Sequence, residues 1–154
     1  MDLRITAIQP KSAIQPFSFM TPKILTVDDS KTIRLLLARM LRSFQVEVVE
    51  GGNGEEGLET ALREKPSLII LDYNMPVMDG VMMLQQLRQN MEIQSTPVIM
   101  LTAESNPKII STVARLGVRD YIVKPFQEDL LLAKIKKIIS LEPKGNIPPV
   151  LPAS

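Results

Sequence analysis

The stretch Leu68-Ile69-Ile70-Leu71-Asp72, running on through Tyr73-Asn74-Met75-Pro76-Val77-Met78 to Asp79-Gly80, decides the fold. Its four consecutive apolar residues show no alternation. That suits a strand covered on both faces, as in a parallel sheet flanked by helices. The run ends on a carboxylate, and Asp79 is a good cap for a helix starting after Gly80. Three other apolar stretches also end on polar side chains: KILTVDD (23–29), PVIMLT (97–102) and DYIVK (120–124). If these strands are parallel neighbours, Asp28, Asp29, Asp72, Thr102 and Lys124 emerge on one edge of one sheet. Three carboxylates, a hydroxyl and an ammonium then share a pocket.

Outward from that stretch the pattern alternates. Strands are predicted at Lys23–Val27, Val46–Val49, Leu68–Leu71, Val98–Leu101 and Arg119–Val123. The first helix is predicted over Ser30–Ser43. Its apolar residues Ile33, Leu36, Leu37, Met40, Leu41 and Phe44 recur at helical spacing on one face. The second helix follows the glycines and ends near Lys65, before Pro66. The fourth spans Ser105–Leu116, with Pro107 in its first turn and Gly117 as its stop. The fifth spans Gln127–Ser140. This is an α/β, (βα)5, doubly wound parallel five-stranded sheet. Right-handed crossovers favour the flavodoxin-like order 2-1-3-4-5, with its crevice between strands 1 and 3 at their carboxyl ends. Asp28, Asp29 and Asp72 lie there.

Length and composition fit one domain. The chain has 154 residues, 45% apolar and 23% charged, with 18 basic against 17 acidic side chains. So balanced a charge gives no broad cationic field for nucleic acid. Without cysteine there is no disulfide or thiolate chemistry, and without histidine there is no His-ligated metal, His base or self-contained phosphohistidine relay. A phosphohistidine would have to come from another protein. No apolar run approaches the ~18 residues of a membrane span, and the N-terminus lacks the apolar segment of a secretory signal. The cytoplasm is the expected location. Residues 1–21 repeat Ala-Ile-Gln-Pro at Ala7–Pro10 and Ala13–Pro16 and are expected to be a flexible extension. Residues 22–141 form the domain. Residues 142–154, with Pro143, Pro148, Pro149 and Pro152, read as a Pro-rich tail.

Three close carboxylates repel one another and raise each other's pKa. A hard divalent cation relieves this, and Mg2+ commonly binds one or two carboxylates together with phosphate oxygens. Asp72 is the candidate nucleophile, since a carboxylate can attack phosphorus and hold an acyl phosphate. Such transfer is mostly positioning and charge neutralisation. Lys124 would neutralise one phosphoryl oxygen and Thr102 would donate to another. Plainer roles exist for each group. Asp28 or Asp29 can cap the first helix alongside Ser30, Lys124 can be a snorkelling surface lysine, and threonine is at home in strands. None explains a third aspartate ending the adjacent strand. A cis bond at Pro125 would fix where Lys124 points.

Gly52-Asn53-Gly54-Glu55-Glu56-Gly57 matches G-x-G-x-x-G after a strand. A dinucleotide reading fails because Glu55 and Glu56 occupy the helix start that a pyrophosphate would need, and because the match follows the second strand. Glycines at such a turn serve the turn itself.

The blocks VDDS (27–30), LDYNMPVMDG (71–80), LTAE (101–104) and DYIVKPF (120–126), with the intervals between them, resemble the receiver domain of two-component response regulators. The resemblance covers about residues 22–141. It implies that Asp72 accepts a phosphoryl group from a sensor kinase phosphohistidine or a phosphotransfer protein. It implies that Asp28 and Asp29 bind Mg2+ with Asp72 and the backbone carbonyl of Asn74. It implies a switch made by Thr102 and Tyr121, changing the surface of helix 4, strand 5 and helix 5 toward an unknown downstream protein or into a dimer. Asn74 and Glu104 are most similar to those of single-domain, chemotaxis-type regulators, where these positions tune phosphoryl loss; a short-lived acyl phosphate is therefore expected. Such a chain is a signalling switch, not an enzyme, beyond its own phosphorylation and dephosphorylation. Two alternatives stand beside it. One is a receiver fragment of a larger regulator with an output region. The other is a dehalogenase-type aspartyl-phosphate hydrolase, which resembles a pattern with a second aspartate where this chain has Asn74, a side chain that cannot serve as proton donor or acceptor.

Overall fold

The computed structural model describes residues 21–103 and 106–145. Five strands alternate with five helices: β1 Lys23–Val27, α1 Lys31–Leu41, β2 Glu47–Gly51, α2 Gly54–Glu64, β3 Leu68–Asp72, α3 Gly80–Gln89, β4 Val98–Thr102, α4 Pro107–Arg115, β5 Asp120–Val123 and α5 Glu128–Lys136. The sheet is parallel throughout in the order β2-β1-β3-β4-β5, the 2-1-3-4-5 topology.

Alternation along the strands divides the core in two. Leu25, Val27, Ile69, Leu71, Val98 and Met100 pack against α2, α3 and α4 through Ala61, Met83, Leu84, Leu87 and Val113. Ile24, Leu68, Ile70, Ile99, Leu101 and Ile122 pack against α1 and α5 through Leu37, Leu41, Leu131 and Ile135. Both faces of β3 and β4 are therefore dry, which is why those strands read as unbroken apolar runs. Each such Leu or Ile contributes about 1.5–3 kcal/mol on burial.

The helix starts follow local chemistry. Ser30 caps α1 by accepting from the Ile33 amide, Asn53 caps α2 through Glu56, and Asp79 caps α3 through Met82. Asn106 caps α4, with Pro107 at its first position, where a missing N–H costs nothing. At the far ends, α2 stops at Lys65 (φ 49°) before Pro66, and Gly117 (φ 79°) follows α4, both in the left-handed region usual for helix ends.

Several element ends differ from expectation; the first helix, for one, spans Lys31–Leu41 rather than Ser30–Ser43. The second strand is Glu47–Gly51 rather than 46–49, because pairing with β1 from Lys23↔Glu47 to Val27↔Gly51 carries it past the apolar residues. The fifth helix ends at Lys136 rather than near Ser140. The Lys137 and Ile138 amides donate to carbonyls three residues back, which tightens the turn, and Leu141 then drops into the α1–α5 core.

Residues 142–145 continue the described chain and are tied to the α1–β2 connection. The Gln45 amide donates to the Glu142 carbonyl at 2.7 Å, the Lys144 amide to the Ser43 carbonyl at 2.8 Å, and Phe44 pairs antiparallel with Pro143. The Ala-Ile-Gln-Pro repeat, Glu104 and residues 146–154 lie outside the described residues.

Candidate functional site

Asp28 directly follows β1, Asp72 closes β3, and Lys124 follows β5, so the parallel sheet delivers all three to its carboxyl edge. Strand alternation puts them on one face. Ile24, four residues before Asp28, and Ile70 and Ile122, two residues before Asp72 and Lys124, all face α1 and α5. Asp28 is 1% and Asp72 4% exposed, while Asp29 is open to solvent. Carboxylate oxygens of Asp28, Asp29 and Asp72 lie within 4.8 Å of one another. The Lys124 ammonium bridges two of them, donating to Asp28 Oδ2 at 3.1 Å and Asp72 Oδ1 at 2.9 Å.

Backbone bonds hold these groups in place. The Asp28 amide donates to the Gly51 carbonyl, and Asp28 Oδ1 accepts from the Ser30 amide at 2.8 Å. Asp28 thus serves the start of α1 and the acidic cluster at once, with Ser30 as the formal cap. The Lys124 amide donates to the Thr102 carbonyl at 2.7 Å, and the Lys124–Pro125 bond is cis. The Tyr73 amide donates to the Leu101 carbonyl, and the Gly80 amide reaches back to the Tyr73 carbonyl at 3.0 Å. A Cβ on Gly80 would collide with the Asp72 carbonyl, so only glycine lets α3 begin this close to the site.

Thr102 is 2% exposed at the end of β4. Its strand position puts it on the face of Val98 and Met100, with the α2–α4 layer. Tyr121 stands in register with Met100 and packs, partly buried, against the same layer. Thr102 and Tyr121 therefore share one face and the Asp28–Asp72–Lys124 cluster the other, joined through the Lys124–Thr102 backbone bond. Asn74 is exposed on the loop after β3.

The electrostatics follow from burial and count. Burial pushes the Asp72 carboxyl above its usual range; Lys124 pulls the other way, and the Asp28 and Asp29 charges raise it further. Burial works against the Lys124 charge as well, but its bonds to Asp72 and Asp28 outweigh that and hold its pKa up. Three carboxylates face one ammonium. A hard cation with room for phosphate oxygens fits this all-oxygen set.

The glycine-rich turn serves packing. The Glu56 carboxylate accepts from the Gly52 amide at 2.8 Å, filling the place a bound phosphate would take. A Cβ on Gly57 would lie 2.8 Å from both Val27 methyls. Two features of the structure had no signal in the sequence. Val77 has φ 72°, which valine disfavours, and Arg88 on α3 donates to four backbone carbonyls.

A five-stranded doubly wound sheet carrying an acidic cluster and a lysine at its carboxyl edge defines a receiver. A family model for the response regulator receiver domain matches residues 24–136, and the chain belongs to that family. It is 39% identical over 132 residues to a probable transcriptional regulator ycf27 of Porphyridium aerugineum, covering 86% of this chain and 54% of that protein. It is 34% identical to a probable chemotaxis protein CheY of Rhizobium etli, covering 75% of this chain and 91% of that one. Among solved structures, chemotaxis protein CheY4 of Vibrio cholerae superposes with a TM-score of 0.74 at 32% identity, covering 78% of this chain and 100% of the other. The chain spans about half the length of the ycf27 regulators it matches. Among the described residues, no helix is long and apolar enough to cross a membrane.

Proposed function

We propose that Asp72 accepts a phosphoryl group from a phosphohistidine on a partner kinase or phosphotransfer protein, and that the acyl phosphate switches partner binding. The observation that carries this reading is the Lys124 ammonium bridging Asp72 and Asp28, with three carboxylates gathered within 4.8 Å. An Asp72 oxygen attacks phosphorus, the P–N bond to histidine breaks, and the donor imidazole leaves. Lys124 is already at the nucleophile and neutralises a phosphoryl oxygen as charge arrives. Thr102 would donate to another. Asp28, Asp29 and Asp72, with the Asn74 carbonyl, would hold Mg2+, which when bound offsets the phosphoryl charge. Thr102 and Tyr121 lie on the face of α4, so a hydroxyl drawn to the phosphoryl group would change the surface of α4, β5 and α5. That surface is the proposed docking or dimer face. The chain would act in the cytoplasm and turn over no substrate but its own phosphoryl group.

The test is intact mass after incubation with acetyl phosphate and Mg2+, quenched in acid, with Asp72→Asn beside it. One added phosphoryl group is expected in wild type, with none in Asp72→Asn and none with chelator. A folded, Mg2+-binding wild type that acquires no adduct and releases no phosphate overturns the reading.

The partial coverage of the ycf27 relatives favours a second reading of context, a receiver within a longer regulator carrying an output region. The intact mass of the native gene product distinguishes the two.

A further inference from the structure

We propose that Val77 is a positioning residue for the phosphoacceptor site: its backbone turn, held at a dihedral that valine resists, sets the course of the loop between Asp72 and α3. This rests on the phosphotransfer reading above. The Met78 amide donates to the Pro76 carbonyl at 2.8 Å, closing a three-residue γ-turn around Val77 at φ 72°. Positive-φ γ-turns are rare and strained, and for a β-branched residue a positive φ is an outlier. Among the described residues the other positive-φ positions, Lys65 and Gly117, end helices, where such a backbone is common. Val77 ends no helix. Its side chain is 75% exposed, so packing does not offset the strain. What the turn secures is therefore the backbone itself.

The turn aims the Met78 carbonyl at α2, where the Gly54 amide donates to it at 3.0 Å. A Cβ on Gly54 would lie 2.5 Å from that oxygen, so the two loops meet as closely as backbone allows. At its other end the loop is held by the Gly80 amide on the Tyr73 carbonyl. Between these two ties lie Asn74, the proposed carbonyl ligand, and buried Met75. A short loop tied at both ends and folded sharply between them has little freedom. Asp72 and the Asn74 carbonyl then keep their places relative to Asp28 and Asp29. Strain that persists beside a reactive group, with nothing to relieve it, fits a geometric requirement of the site.

Three variants test this. Val77→Pro forces φ to about −65° and opens the turn. Gly54→Ala pushes the Met78 carbonyl away from the other side. Val77→Gly keeps the turn without its strain. Mg2+ affinity is read by calorimetry, Tm by thermal melting, and phosphorylation by acetyl phosphate labelling. Val77→Pro and Gly54→Ala are expected to bind Mg2+ about tenfold more weakly and to label more slowly, as when a group supporting metal ligands is lost. Val77→Gly should stay within about twofold of wild type in affinity, with Tm no lower than wild type. Wild-type affinity in a folded Val77→Pro or Gly54→Ala overturns the proposal. So does a lowered Tm in Val77→Gly, which settles the matter even if neither other variant folds. Failure of wild type to label would sink the phosphotransfer reading alone, since the Mg2+ measurements still test the turn.

Discussion

Lys124 is the counter-ion of two buried carboxylates, and its loss should be felt before any chemistry begins. Asp28 and Asp72 are almost without solvent, so removing the ammonium leaves both charges uncompensated. Lys124→Met should lower stability in chelator by about 3 kcal/mol, the low end for a broken buried pair because Lys124 keeps partial contact with water. Saturating Mg2+ should return part of that, so the Tm gain on adding Mg2+ should be larger in the variant than in wild type. Equal gains would mean that the lysine does not share the cation's place. Asp72 gives a prediction with a sign in pH. Its folded-state pKa is raised, chiefly by burial, so between the unfolded and folded values the folded chain holds more protons than the unfolded one. Stability from this group therefore falls as pH rises through that window, and above it the full cost of a buried charge remains. In chelator at neutral pH, Asp72→Asn should melt higher than wild type, and the gap should close as pH falls into the usual carboxylate range. Melting curves across pH decide it, and a gap independent of pH would remove the link to the Asp72 charge.

At the scale of elements, Arg88 near the end of α3 joins segments that the sheet does not. Its guanidinium donates to the carbonyls of Gln94 and Thr96 in the α3–β4 connection, and of Leu116 and Gly117 after α4. Among the described residues it has no carboxylate partner, and burial lowers its pKa. Arg88→Ala should destabilise the domain by about 2–3 kcal/mol, as expected for losing charged hydrogen bonds. Arg88→Lys should recover only part of this, because a compact ammonium lacks the fork that reaches several carbonyls. Urea unfolding at unchanged m checks both; full recovery by lysine would show that only charge matters. In the sequence Arg88 is one more polar residue late in a helix, because its partners are carbonyls, which carry no residue-type signal. The same holds at Val77, where side-chain type argues against the backbone found. The order of strands was legible, since apolar runs closed by aspartate, threonine and lysine report burial on two faces. Strand ends were less so. The second strand continues through Glu50, whose exposed carboxylate pairs with Arg34 while its backbone pairs with β1.

Across the whole molecule, the fold separates its chemistry from its closure. The acidic cluster sits at the carboxyl edge of the sheet. The end of the described chain is fastened at the opposite edge, on the α1–β2 connection before Glu47. Proline-rich composition masked this, because proline removes a backbone donor but leaves a carbonyl. Glu142 uses its carbonyl to accept from the Gln45 amide, Pro143 accepts from the Gln45 side chain, and Lys144 supplies a donor to Ser43. The Lys136 ammonium lies 5.4 Å from the centre of the Phe44 ring, on the residue that pairs with Pro143. These contacts connect positions far apart in sequence and add to stability without touching the site. Ending the chain after Leu141 should therefore cost about 1–2 kcal/mol relative to a chain ending at 145, from two backbone hydrogen bonds and lost cover over Phe44. Mg2+ affinity and acetyl phosphate labelling should be unchanged in the shorter chain. Equal stability would show that the clasp is incidental, whereas weakened Mg2+ binding would show that the two edges of the sheet are coupled.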